Sequence, residues 1–223
     1  MSRFALKLLI VIAGFLSSSE ICVARKVPGY ILTENLDTIY GEVKVYSFDR
    51  ITGDLIINGI DLQSYHLEVE FKSHDGKKFI TFKPQDIQGF GFFYKSEKYI
   101  FRRFLIEQKS IVKSERQFYR FLNLLYNGKI SLYKDIIRVN NPSYDLTKAI
   151  SYVYSDYYLY DTPGGLKKVR VKEDDESLKD ILSYYGFEDD YLNSIPKNTN
   201  LKDIQTVLED YDSWYKKNKE QGI

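Results

Sequence analysis

Three patterns of apolar spacing follow one another along the chain. Leu8 to Leu16 is an unbroken apolar run. From Gly29 to Val171 apolar residues recur at every second position in short stretches, the period of half-buried strands. From Ser177 onward they recur at intervals of three and four, the period of helices docked by one face.

The alternating stretches group into hairpins. Gly29 to Thr33 is β-prone and leads through Glu34 to Asp37 into a second strand, Thr38 to Tyr46, in which Ile39, Val43 and Val45 share one parity. Between His66 and Lys83, Leu67, Val69 and Phe71 alternate with Glu68, Glu70 and Lys72, and Asp75-Gly76 is a two-residue turn signal whose positions take positive φ. Counting outward from that turn pairs Phe71 with Ile80, Val69 with Phe82 and Glu68 with Lys83, so apolar meets apolar and opposite charges meet. Phe118 to Tyr126, Asn127-Gly128 and Lys129 to Tyr133 form the next hairpin. A helix competes there, because Phe118, Phe121, Leu122 and Leu125 also fit a 3.6 period; the Asn-Gly turn and the strand-like partner favour β. A third hairpin runs from Tyr152 to Tyr160, turns at Thr162 to Gly165 and returns through Leu166 to Val171.

In the last stretch Leu178, Ile181, Leu182 and Tyr185 fall on one helical face, which stops at Gly186, a suitable residue just past a helix end. The acidic run Glu173 to Glu176 stands before it, where negative charge complements the helix dipole. A short helix is expected over Phe187 to Ile195, ended by Pro196. A longer one follows Asn200, with Leu201, Ile204, Val207, Leu208, Tyr211 and Trp214 or Tyr215 on one stripe. The expected fold class is α+β: a largely antiparallel β-sheet and β-hairpin domain over 25–172, with a helical segment over 173–223 packed on it.

Charge sharpens this division. From Glu173 to the end there are 13 acidic and 6 basic residues, a net −7. At the other end, Arg3 and Lys7 precede the apolar run, and Cys22-Val23-Ala24 offers small residues at the −3 and −1 positions of a peptidase site. That order is the order of a secretory signal, so residues 1–24 are expected to be removed by cleavage between Ala24 and Arg25. The run is too short for a bilayer crossing, which takes about 20 residues, and Ser19-Glu20-Ile21 is a poor lipidation context for Cys22. Without the leader the chain carries 30 basic and 30 acidic residues, since Arg3, Lys7 and Glu20 leave the totals of 32 and 31. It then has no cysteine and no transmembrane segment. The expected location is outside the cytoplasm: periplasm, outer membrane or medium.

The order Gly29-Tyr30-Ile31, Asp37-Thr38-Ile39-Tyr40-Gly41, Phe82 to Phe90 and Gly128 to Tyr133 resembles a group of uncharacterised exported proteins of the Bacteroidetes. Their "GYI…GDTIYG" opening follows a signal peptide, and their helical tail ends in a tyrosine-bearing helix like Val207 to Tyr211. Here Leu36 stands where that group carries glycine, which alters the turn. The resemblance implies export and a β-rich fold, and supplies neither an activity nor a catalytic residue.

Candidate chemistry is sparse. The two histidines, His66 and His74, lie roughly 27 Å apart along one strand at the strand rise, too far to share a metal, and both read as surface residues. No nucleophile elbow accompanies them, and Gly89-Phe90-Gly91 lacks the residues of a phosphate loop. No catalytic residue, metal ligand or cofactor is therefore assigned. Glu173 to Glu176 lacks the spaced ligands of a calcium loop.

Two features suit binding, although solvated charges alternating with core aromatics along strands account for the first and tyrosines packed as strand residues account for the second. Arg102 and Arg103 belong to a stretch from Lys95 to Arg120 in which cations interleave with aromatics, a composition that suits nucleic acid. Export redirects it toward an anionic glycolipid or acidic glycan. The chain holds 20 tyrosines, and Tyr152, Tyr154, Tyr157, Tyr158 and Tyr160 crowd one segment, offering flat apolar area with a hydroxyl. The expectation is a non-enzymatic envelope protein that binds a glycan, glycolipid or protein partner. A hydrolase acting on envelope polysaccharide through two carboxylates is the alternative, and it calls for a cleft with two facing carboxyls, one of raised pKa.

Overall fold

The computed structural model describes residues 24–50, 56, 59–109, 115–141, 150–161, 164–169, 178–196, 199 and 203–220. Residues 1–23 of the expected signal peptide and the acidic run Glu173 to Glu176 lie outside them. The described part is mostly antiparallel sheet of ten strands, with three α-helices toward the C-terminus. The chain divides into two compact units, Met1–Lys98 and Tyr99–Ile223.

The first unit contains β1 (Arg25–Leu32), β2 (Thr38–Val45), β3 (Val69–Ser73), β4 (Ile80–Phe82) and β5 (Gly89–Tyr94), hydrogen-bonded in the order β5-β1-β2-β3-β4. Its core combines Val43, Val45, Val69 and Phe71 with Ile87, Phe90, Phe92 and Tyr65. The β1–β2 connection closes through Thr33 and Asp37, whose backbone N–H and C=O bond at 3.0 Å. Leu36 takes φ 67° there, the left-handed conformation that glycine adopts without strain.

The β3–β4 register is Val69 with Phe82 and Phe71 with Ile80, as the alternation requires. The turn differs. Neither Asp75 nor Gly76 has positive φ, and six residues separate the strands instead of two, closed by Gly76 N–H donating to Ser73 C=O at 3.0 Å. Two placements also depart from the sequence reading. Ile39 shares the parity of Val43 yet is exposed, because the core ends before it. His66 is fully buried in a single 3-10 turn, Ser64–His66, and is neither a strand residue nor a surface one. His74 is exposed.

The second unit holds most of β6 (Glu97–Lys109), then β7 (Glu115–Tyr126), β8 (Ser131–Asn141), β9 (Ile150–Asp161) and β10 (Gly165–Lys168), each paired with the next. The Asn127-Gly128 connection joins two strands, with Leu124 opposite Tyr133 and a bulge before Tyr126 meets Leu132. Three helices follow: α1 (Leu178–Tyr184), α2 (Asp189–Ser194) and α3 (Ile204–Glu220). Gly186 ends the first with φ 79°, the expected stop.

The helices cover one face of this sheet. Leu178, Ile181, Leu182, Leu192, Ile204, Val207, Leu208 and Tyr211 pack with Ile130, Leu132 and Leu159. A polar clamp fixes α3 to the β7–β8 turn. Tyr126 OH donates to Asp212 Oδ2 at 2.7 Å, and Lys129 N–H donates to Asp212 Oδ1 at 3.1 Å. Lys129 Nζ donates to Tyr211 OH at 3.0 Å and sits 3.2 Å from the centroid of the Tyr215 ring. Tyr211 OH in turn donates to Glu188. Burial and then the Asp212 carboxylate push the Tyr126 phenol up to about 12.

Candidate functional site: a charged groove on the second unit

Among the described residues, the apolar cluster on the other face of the second unit's sheet includes no helical residue. Strand alternation places Ile106, Phe118, Leu122, Tyr133 and Tyr158 on this face, where they form a separate apolar cluster with Phe104, Leu124, Tyr160 and Leu166. The cross-strand pairs agree: Phe104 lies opposite Arg120, Ile106 opposite Phe118, and Tyr133 opposite Tyr158. Beside this cluster lies a groove of about 590 Å³, lined by Ile106, Phe118, Ile137, Tyr158 and Leu166 together with charged side chains. That volume falls within the range of small-ligand pockets, about 300–1,000 Å³.

Four consecutive strands each contribute one charge to the groove: Arg120 from β7, Asp135 from β8, Asp156 from β9 and Lys168 from β10. Asp135 and Asp156 are direct cross-strand partners, a placement in which like charges repel. The repulsion is relieved outward on both sides. Arg120 Nε donates to Asp135 Oδ1 at 2.9 Å and lies 2.7 Å from Oδ2. Its Nη2 reaches the Ile136 carbonyl at 3.4 Å. Lys168 Nζ donates to Asp156 Oδ2. The Asp135 side chain is only 2 % exposed, against 14 % for Asp156 and 47 % for Lys168. Burial pushes the Asp135 carboxyl above its ordinary range and Asp156 adds to this, while Arg120 pulls the other way. Glu107 borders the groove, but its parity is that of Tyr119, and its side chain accepts from its cross-strand partner Gln117 Nε2 at 3.0 Å.

The residues singled out from the sequence divide between the two faces. Tyr158 lines the groove and is nearly buried. Tyr160 stands beside it, 5.4 Å from Phe104 and 6.4 Å from Tyr133 between ring centroids. Arg102 pairs with Leu122 on the same face and lowers the phenol pKa of Tyr133, which burial raises. Tyr157 lies on the opposite face against the helical core, with Lys134 Nζ 5.9 Å from its ring centroid. Arg103 is also on that face, its guanidinium 4.9 Å from the Tyr119 centroid. Tyr152 and Tyr154 occupy β9 positions opposite Val139 and Ile137. Ala24 directly precedes β1, and Arg25, its first residue, pairs with Val45. The tyrosine-rich segment is thus a strand with two destinations and not one tyrosine surface.

Comparison with protein-family models, curated proteins and solved structures finds no match to this chain. The groove must therefore be read from its own residues. Asp135, Asp156 and Lys168 were not among the sequence candidates. Their signal is that Asp135 shares parity with Tyr133, and Asp156 with Tyr158, which puts acids on an aromatic face.

A second cluster, in the first unit, behaves differently. Lys26, Lys44 and Lys72 place their Nζ atoms 5.9, 5.0 and 5.7 Å from the Phe79 ring centroid. Lys44 is bonded to Glu70, which also accepts from Tyr46, and Lys72 pairs with Glu42 at 2.8 Å. These are ion pairs spread over a strand surface. Among the described residues no helix is long and apolar enough to cross a membrane.

Proposed function

We propose that the chain is an exported, non-enzymatic envelope protein that holds a glycan-bearing ligand in the groove of its second unit. Export rests on the positive, apolar and small-residue order of residues 1–24. Binding rests on one observation: the groove combines apolar walls with polar groups whose charges are already engaged within the protein. Asp135 is held by Arg120 and Asp156 by Lys168, so neither carboxylate is a free base or nucleophile. Such a floor can donate and accept hydrogen bonds without having to be discharged first.

The carboxylate hydrolase is the second reading, favoured by a specific feature. Asp135 faces Asp156 across β8 and β9, and its carboxyl holds a proton more tightly than an ordinary aspartate. Against it stands the near-complete burial of Asp135, because an acid catalyst must reach the bond it protonates.

One experiment separates the two. The mature protein is mixed with insoluble envelope polysaccharide, and both co-sedimentation and new reducing ends are measured. Binding predicts retention that falls at least tenfold in Phe118→Ala, with no reducing ends released. Hydrolysis predicts reducing ends that disappear in Asp156→Asn. Failure of the wild-type protein to sediment, with no reducing ends, would contradict both.

A further inference from the structure

Resting on that reading, we infer that the groove is built for an uncharged oligosaccharide segment and not for an acidic glycan, a lipid chain or a peptide. The charge ledger of the lining carries the inference. Arg120 and Lys168 are the two cations whose side chains share the groove's face, and Asp135 and Asp156 are the two carboxylates; Glu107, paired with Gln117, has the opposite parity. The row therefore has no net charge, and each of its cations is neutralised by a carboxylate of the same groove. An anionic ligand would meet two carboxylates and two cations already paired with them. The basic and aromatic composition between Lys95 and Arg120 suggests an acidic partner when read along the chain. In space, Arg120 is committed to Asp135, Arg103 lies over Tyr119 on the other face, and Arg102, on the groove's face, acts on Tyr133 outside the lining.

An acyl chain fails for a different reason. Filling the groove with hydrocarbon would strip water from Arg120, Asp156 and Lys168 and replace none of its hydrogen bonds, a cost that apolar walls of this extent do not offset. A sugar segment meets both requirements. Its hydroxyls accept from the Arg120 guanidinium and the Lys168 ammonium and donate to the partly exposed Asp156 carboxylate, and its C–H faces lie on Phe118 and Ile106. Phe118 and Ile106 are cross-strand partners, which makes them a continuous apolar wall beside the charged row. A peptide is the nearest competitor, because it too is neutral and polar. Its backbone gains most from an open strand edge, whereas the strands that supply Arg120, Asp135 and Asp156 are paired on both sides.

The test uses the mature full-length chain and isothermal titration. The probes are cellotetraose, maltotetraose and chitotetraose as neutral sugars, an alginate tetramer as acidic sugar, lysophosphatidylcholine below its micellar concentration, and tetra-alanine. At least one neutral tetrasaccharide should bind saturably. Its affinity should change less than threefold between 50 and 500 mM NaCl, since no ligand charge is paired, and it should weaken at least tenfold in Phe118→Ala. Leu166→Glu, on the short strand β10, serves as a second groove variant should the first fail to fold, and Tyr119→Ala is the control on the opposite face. Phe118-sensitive binding of alginate, lysolipid or tetra-alanine, with no neutral sugar bound, would overturn this inference and leave the proposed binding function standing. Absence of any probe binding that depends on Phe118 or Leu166 would overturn both.

Discussion

Asp135 and Arg120 are the residues on which the groove's electrostatics turn. A carboxylate with 2 % of its side chain exposed keeps its charge only because a guanidinium faces it. Arg120→Met should therefore destabilise the protein by about 3–5 kcal/mol at neutral pH, the usual result of leaving a buried charge alone. The pH dependence has a defined sign. The folded-state pKa of Asp135 already lies above the ordinary value, and losing Arg120 raises it further. The folded state then binds more protons than the unfolded chain between those values, so stability falls as pH rises through the window. Urea denaturation of Arg120→Met and wild type should show their difference shrinking as pH drops toward the ordinary aspartate range. A difference that stays constant or grows on acidification would rule this out. Glu70 and Glu188, whose carboxyls are held below their usual range, lose stabilisation as pH falls, but they do so in both proteins and cancel.

Leu36 offers a residue-level test of the opposite sign. It holds φ 67° and is 68 % exposed, so it bears left-handed strain of about 1–2 kcal/mol with little burial in return. Glycine there loses roughly 0.5–1 kcal/mol to backbone entropy. Leu36→Gly should therefore stabilise by about 0.5–1 kcal/mol, measured as a higher urea midpoint at unchanged slope.

At the scale of elements, the strands and helices were largely legible in the sequence, and the turns were not. The β3–β4 register followed from the alternation of Val69 and Phe71 against Ile80 and Phe82, because a slip of one residue would turn each apolar side chain to water. The β7–β8 hairpin, ambiguous by period alone, was decided by Asn127-Gly128. Yet the Asp75-Gly76 pair did not form its two-residue turn, since both strands stop short and leave a wider loop. Dipeptide signals indicate that the chain reverses, and tertiary packing sets how tightly. The buried position of His66 was hidden for a related reason: the alternation of Leu67, Val69 and Phe71 was extended upstream, whereas the strand begins only at Val69.

The clamp between the β7–β8 turn and α3 can be tested by one methyl group. A Cβ on Gly128 would lie 2.0 Å from Asp212 Oδ2 and 2.6 Å from the Tyr126 ring. Gly128→Ala must displace Asp212 and so weaken its bonds from Tyr126 and Lys129. A loss of about 1–3 kcal/mol is expected. The Tyr126 phenol, released from the carboxylate, should also titrate below its present value near 12, which ultraviolet titration would register. Leu208→Ala, within the same helix and 1 % exposed, should cost about 2–5 kcal/mol through cavity formation. An unchanged melting temperature for either variant would contradict the packing described.

Across the whole molecule, little of the groove could be read along the chain. Of the residues singled out from the sequence, Tyr158 lines the groove, while Tyr160 and Arg102 share its face without lining it. Their companions on β9 and β6, Tyr157 and Arg103, face the other way because adjacent strand residues always do. The Asp135–Asp156 contact needs the pairing of β8 with β9, a register across a long connection that no single residue announces. The basic and aromatic stretch from Lys95 to Arg120 suggested an acidic partner, whereas the folded groove neutralises its own cations. Composition reports what a surface could attract only after the internal pairs are subtracted.

The central claim is that the face of the second unit opposite its helical core, through its groove, meets the ligand. Phe118 and Tyr119 are sequence neighbours on opposite faces of β7, and a photoreactive benzoylphenylalanine at each position samples one face only. Irradiation in the native envelope should yield a carbohydrate-bearing adduct from position 118 and none from position 119. Adducts from position 119 alone, or unmodified protein from both, would contradict the account.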